Sequence, residues 1–75
     1  MAKQPPSPVL KALGRRIRIL RKRKHWSQET FADEARIDRS YASGIERGVR
    51  NFSVLTLLKI ARVLEVPITS LLQND

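Results

Sequence analysis

Between Val9 and Lys24 the apolar residues Leu10, Leu13, Ile17 and Leu20 recur at steps of three and four. That spacing marks one face of an α-helix. The other faces carry Lys11, Arg15, Arg16, Arg18, Arg21, Lys22, Arg23 and Lys24. Gly14, inside this run, weakens the helix by up to about 1 kcal/mol relative to alanine. Ser27 suits the cap of a second helix, with Glu29 favourable in its first turn and Phe31, Ala32 and Ala35 facing inward. This helix stops near Arg36. Asp38 is the next cap, and a third helix runs from Arg39 to about Arg47, with Ala42 and Ile45 inside and a stop at Gly48. Arg50 to Phe52 is a loop. Ser53 then caps a fourth helix with Val54, Leu57, Leu58, Ile60, Ala61 and Leu64. Pro67 suits the first turn of a last short helix holding Ile68, Leu71 and Leu72. No stretch alternates at a period of two, so no strand is expected. The pattern predicts an all-α domain of five helices.

Length limits what this domain can do alone. The chain has 75 residues and no cysteine, so it forms one domain without disulfides. A domain this short buries only about 60% of its unfolded surface, and pairing with a second copy adds buried area. Residues 1–8 hold three of the four prolines and read as a flexible tail preceding a folded domain over 9–75. No internal repeat is present.

Charge narrows the partner. The 15 Lys and Arg outnumber the 7 Asp and Glu, for a formal charge of +8. That balance points to a polyanion, either nucleic acid or an anionic membrane surface. No apolar run reaches the roughly 18 residues of a membrane span. No apolar stretch follows Lys3 as in a signal peptide, so a cytoplasmic, nucleoid-associated protein is expected. The single histidine, His25, has no metal-binding neighbour and reads as a surface residue. No nucleophile–base pair or glycine-rich phosphate loop stands out. No enzyme activity, cofactor, metal or small-molecule ligand is expected.

Two short helices joined by Arg36 to Asp38 form a helix-turn-helix pattern. An α-helix fits the DNA major groove, where each base pair shows a distinct edge. The first helix of such a pair crosses the backbone and holds the second in place. Arg39, at the start of the second helix, can donate two hydrogen bonds to guanine O6 and N7. Ser40 and Ser43 follow on the same outer face and can touch bases or phosphates. Tyr41, Arg47, Arg50 and Asn51 flank the helix as phosphate candidates. Ser27 and Gln28 lie at the amino end of the preceding helix, where exposed amides favour a phosphate.

The run Ser27-Gln28-Glu29-Thr30-Phe31-Ala32 resembles the "SQEELA" segment of the phage repressor and Cro family, also called the XRE family. Ile37-Asp38-Arg39-Ser40-Tyr41-Ala42-Ser43-Gly44-Ile45-Glu46-Arg47-Gly48 resembles its recognition helix and following turn, and Ser53 to Leu72 its last two helices. The likeness covers about Leu13 to Leu72 and implies a five-helix, lambda-repressor-like domain. It implies a homodimeric regulator reading a near-palindromic operator of double-stranded DNA. It also implies that Gln28 braces the recognition helix, that Arg21 and Glu46 form an ion pair tying the first helix to the third, and that Leu64, Val66, Ile68 and Leu72 form the dimer patch. A narrower likeness, in Asp38 to Arg47 followed by Arg50 and Asn51, is to the controller proteins of restriction–modification systems.

The chain departs from the family pattern in several places. Arg36 stands where glycine is usual, Ala42 is smaller than the usual branched residue, and Phe31 is larger than the usual leucine. Gly44 stands where relatives often carry a reading side chain, which shifts weight to DNA shape. Trp26 suits a staple against Thr30 or Phe31. Three other functions remain open on sequence: an autorepressing antitoxin, a basic helix over residues 9–24 lying on anionic membranes, and packaging of RNA or DNA without sequence preference.

Overall fold

The computed structural model describes residues 7–72 and contains α1 (Pro8–Arg23), α2 (Gln28–Ala35), α3 (Arg39–Arg47), α4 (Val54–Leu64) and α5 (Ile68–Leu71). No strand occurs among the described residues. Side-chain caps start four of the helices. Ser7, Ser27, Asp38 and Ser53 accept the backbone N–H groups of Leu10, Thr30, Ser40 and Thr56. Each cap satisfies a donor that the first helical turn leaves without a partner. α1 therefore begins at Pro8, and Ser7 and Pro8 belong to the helix rather than to the tail assigned to residues 1–8. The rest of that tail lies outside the described residues. Pro67 precedes α5 as its cap residue instead of sitting in its first turn.

The ends of α1, α2, α3 and α4 share one device. His25, Arg36, Gly48 and Glu65 all have positive φ, at 61, 55, 74 and 60°. In each case the next residue returns its N–H to a carbonyl five residues back: Trp26 to Arg21, Ile37 to Ala32, Val49 to Gly44 and Val66 to Ala61. This is the Schellman closure, which satisfies orphan carbonyls and favours an apolar residue just past the left-handed one. Trp26, Ile37 and Val66 do pack against the core. That contact offsets the left-handed strain of His25, Arg36 and Glu65, about 1–2 kcal/mol each. Trp26 is thus placed by the end of α1. Arg36 is exposed, so Arg36→Gly relieves strain and removes no burial. We expect it to raise the melting temperature by about 4–8 °C, from about 1 kcal/mol gained. An unchanged or lowered melting temperature in calorimetry would show that the arginine makes a compensating contact.

The core draws on every helix: Leu13, Ile17 and Leu20 of α1, Phe31, Ala32 and Ala35 of α2, Ala42 and Ile45 of α3, Leu57, Ile60, Ala61 and Leu64 of α4, and Leu71 of α5. Phe31 and Ala42 are both wholly buried in it. Leu10 is only half-buried. The apolar stripe of α1 faces this core and leaves no apolar face for a bilayer, which removes the support for a membrane-lying helix over residues 9–24. No described helix is long and apolar enough to cross a membrane.

Candidate DNA interface

α2 and α3 meet through the turn Arg36–Asp38. α3 buries Ala42, Ile45 and Glu46 and turns Arg39, Ser40 and Arg47 to solvent, with Ser43 half-buried between them. Residues 39, 43 and 47 are one helical turn apart, so they form a continuous outward ridge. Arg39 is the first residue of the helix and is exposed. Among the described residues no carboxylate is paired with it. Its five donors are free to meet an acceptor pair.

Ser40 is more constrained than its position suggests. Its N–H donates to Asp38 Oδ2 at 3.1 Å, and its hydroxyl donates to the same oxygen. The hydroxyl keeps only acceptor capacity, which suits a base amino group and not a phosphate. Those hydrogen bonds from Ser40 hold the Asp38 carboxyl below its ordinary value, helped by the charge of Arg50. A depressed carboxylate contributes stability above its unfolded pKa and loses it as pH falls through the folded value. We expect the amino end of α3 to fray in acid, with slowed amide exchange at Ser40 lost progressively as the pH falls below the ordinary carboxylate range. Asp38→Asn should show no such pH step; a step that persists in this variant would place its source elsewhere.

The position of Gly44 has a different meaning from the one its sequence suggests. Arg50 folds across α3 at this point, and a Cβ on Gly44 would lie 2.3 Å from Arg50 Cγ. The Arg50 guanidinium sits 5.7 Å from the Tyr41 ring centroid. The missing side chain is thus replaced by one from the loop, and Arg50 and Tyr41 act as a stacked pair. Sequence spacing cannot show this, because it depends on the path of residues 48–52. Asn51 accepts from Phe52 N–H through Oδ1 at 2.9 Å, which leaves its amide N–H groups as donors. Ser27 commits its hydroxyl to Thr30, accepting from the amide at 3.0 Å and donating to Oγ1 at 3.0 Å.

A buried network holds this surface. Arg21 Nε donates to Glu46 Oε2 at 2.6 Å and Nη2 to Oε1 at 3.0 Å. Its Nη1 donates to the Trp26 carbonyl at 2.8 Å. Gln28 Nε2 donates to Glu46 Oε1 at 3.3 Å. Glu46, Arg21 and Gln28 therefore lock the ends of α3, α1 and α2 together. The side chains of Arg21 and Glu46 are 9% and 3% exposed. Among the described residues no buried side-chain polar atom lacks a partner.

The residues assigned to a dimer patch are not all available for one. Leu64 is 4% exposed and belongs to the core of its own domain. Val66 and Ile68 pack on that core half-buried, and only Leu72 is exposed. The exposed apolar face lies instead on α4, at Val54, Leu55 and Leu58, with Leu55 77% exposed. These three lie beside the buried stripe of Leu57, Ile60, Ala61 and Leu64, on the part of α4 that the core leaves uncovered. The sequence signal was there: eight of the eleven residues of this helix are apolar, more than one face can bury.

His25 is exposed, and no described group of three His, Asp or Glu side chains could hold a metal. A helix-turn-helix family model matches residues 17–71. The transcriptional regulator SlrR of Bacillus subtilis is 48% identical over 64 residues, which are 84% of this chain and 42% of SlrR. The chain thus spans less than half the length of that relative. Among solved structures, the restriction–modification controller protein C.AhdI from Aeromonas hydrophila superposes with a TM-score of 0.80 at 45% identity, covering 83% of this chain and 94% of that one. The biofilm regulator SinR, in a crystal with DNA, superposes with a TM-score of 0.76 at 39% identity, over 81% and 98% of the two chains.

Proposed function

The chain belongs to the helix-turn-helix family of DNA-binding transcriptional regulators, and on that premise we propose that it reads a near-palindromic operator as a homodimer, at the nucleoid in the cytoplasm. It is not an enzyme. The observation that carries the reading is the α3 ridge, with the unpaired Arg39 at its amino end and a buried network fixing its orientation. In this reading Arg39 donates a bidentate pair to guanine. Ser40 accepts from a base, and Ser43 lies against the base edges. Arg47, Arg50 over Tyr41, the Asn51 amide and the amino end of α2 at Ser27 and Gln28 bind phosphates and set the register. Half-sites then lie about 34 Å apart, one turn of duplex.

The dimer face in this proposal is the exposed α4 stripe of Val54, Leu55 and Leu58, joined by Leu72. Leu55→Glu combined with Leu58→Glu should leave the monomer folded, halve the mass in sedimentation and weaken operator binding by about 100-fold or more. A variant that stays dimeric would remove α4 from the interface. The likeness to C.AhdI supports a narrower reading as a restriction–modification controller protein.

The test is selection of bound sites from a random duplex pool at about 150 mM salt, with Arg39→Ala in parallel. We expect a two-fold symmetric motif for the wild type, relaxed at one base pair per half-site in the variant. Binding without any enriched motif would reduce the protein to charge-driven association and overturn the reading.

A further inference from the structure

α1 carries a charged surface that operator reading leaves unused. Lys11, Arg15, Arg18 and Lys22 follow at steps of four, three and four, and all are exposed. On a helix of 3.6 residues per turn these steps make one stripe. It is turned away from the buried Leu13, Ile17 and Leu20. α1 holds seven Lys or Arg and no Asp or Glu. Among the described residues no carboxylate is paired with Lys11, Arg18 or Lys22. Like charges at these steps oppose the helix, and a solvated face of mixed sign is equally soluble.

The stripe also lies in a telling place. Lys11 packs against Gly48, where an added Cβ would be 2.7 Å from its Cα. Gly14 faces the carbonyls of Ile45 and Glu46, and Arg21 binds the Trp26 carbonyl one residue before the cap of α2. The helix therefore borders the interface on the side where α3 ends and α2 begins. That is the side on which the amino end of α2 meets a phosphate in the proposed complex. From Lys11 to Lys22 the helix rises about 16 Å, the axial length of about five phosphates on one strand.

We propose that this stripe is a second, sequence-independent contact, made with the backbone of the DNA flanking each half-site. The inference rests on the operator reading above. Its test compares wild type with the triple variant Lys11→Gln, Arg18→Gln and Lys22→Gln, whose helix content and melting are checked first. The probes are the selected duplex trimmed to its two half-sites and the same duplex carrying about ten further base pairs on each side. Affinities are measured across a salt series, with a scrambled duplex as reference.

Wild type should bind the extended duplex several-fold more tightly than the trimmed one, and the triple variant should bind both alike. The variant's slope of log affinity against log salt should be shallower by about 2.7 per protomer. Its preference for the selected over the scrambled duplex should be retained. If the variant matches wild type in slope and length dependence, the stripe is a solvated face and the proposal fails alone. A shallower slope with no length dependence would place the stripe on phosphates within the half-site, or on a second duplex, and also overturns it. Loss of the preference for the selected duplex by wild type itself would instead strike the operator reading.

Discussion

Replacing Arg21 by alanine should destabilise the domain by about 3–5 kcal/mol, because it leaves the Glu46 carboxylate buried without its partner. A chain of this size has only about 4–11 kcal/mol in total. The melting temperature should fall by about 12 °C or more, and the variant should be partly unfolded at 37 °C. The loss is large because three guanidinium bonds end together: two to Glu46 and one to the Trp26 carbonyl. A double variant separates charge from geometry. With Arg21→Met and Glu46→Met together, no ion remains buried, and apolar replacement of such pairs is often neutral or better. This variant should melt near the wild type yet bind the operator less tightly, since Gln28 loses the carboxylate that positions it. An Arg21→Ala protein that melts like the wild type would show that the pair is not a structural tie.

Gly14→Ala should also destabilise, and here two physical effects predict opposite signs. Helix propensity alone makes alanine better by about 1 kcal/mol in the middle of α1. Packing says otherwise. An added Cβ would lie 2.4 Å from the Ile45 carbonyl oxygen and 2.5 Å from that of Glu46. Both are backbone atoms, so no side chain can swing aside, and α1 has to move off α3. Overpacking of this kind costs about 1–3 kcal/mol and sometimes more, which exceeds the propensity gain at its upper end. The shift also displaces the carboxyl end of α3, so operator affinity should drop along with stability. A Gly14→Ala protein that is more stable would mean that propensity wins and that the two helices have room to part.

The pattern of caps and apolar steps made most of this fold legible. Ser27, Asp38 and Ser53 mark where α2, α3 and α4 begin, because a short polar side chain before an apolar periodic run satisfies the first free amides. Helix ends were less legible. Gly48 could be read as a stop, but His25, Arg36 and Glu65 adopt the same left-handed conformation without being glycine. The available cue was the apolar residue after each, at Trp26, Ile37 and Val66, which the Schellman closure carries into the core. The start of α1 was hidden for a related reason. Pro8 belongs at a first helical position and Ser7 at a cap, yet they follow a proline-rich segment and share its composition.

Sequence by itself determined the all-helical class, the order of the elements and which side chains of α3 face outward, because these follow from local periodicity and capping. It also placed Arg39 at the amino end of that helix. Tertiary structure decided what depends on residues far apart in the chain. The tie of Gln28 to Glu46 needs α2 and α3 to cross at one angle, and the seat of Arg50 over Gly44 and Tyr41 needs one path of the following loop. Leu64 and Leu55 show the same division in apolar surface. Both are leucines of α4, and helical periodicity sets them on different faces. Only the packing of α2 and α5 against α4 decides which face is covered, and so which leucine stays exposed.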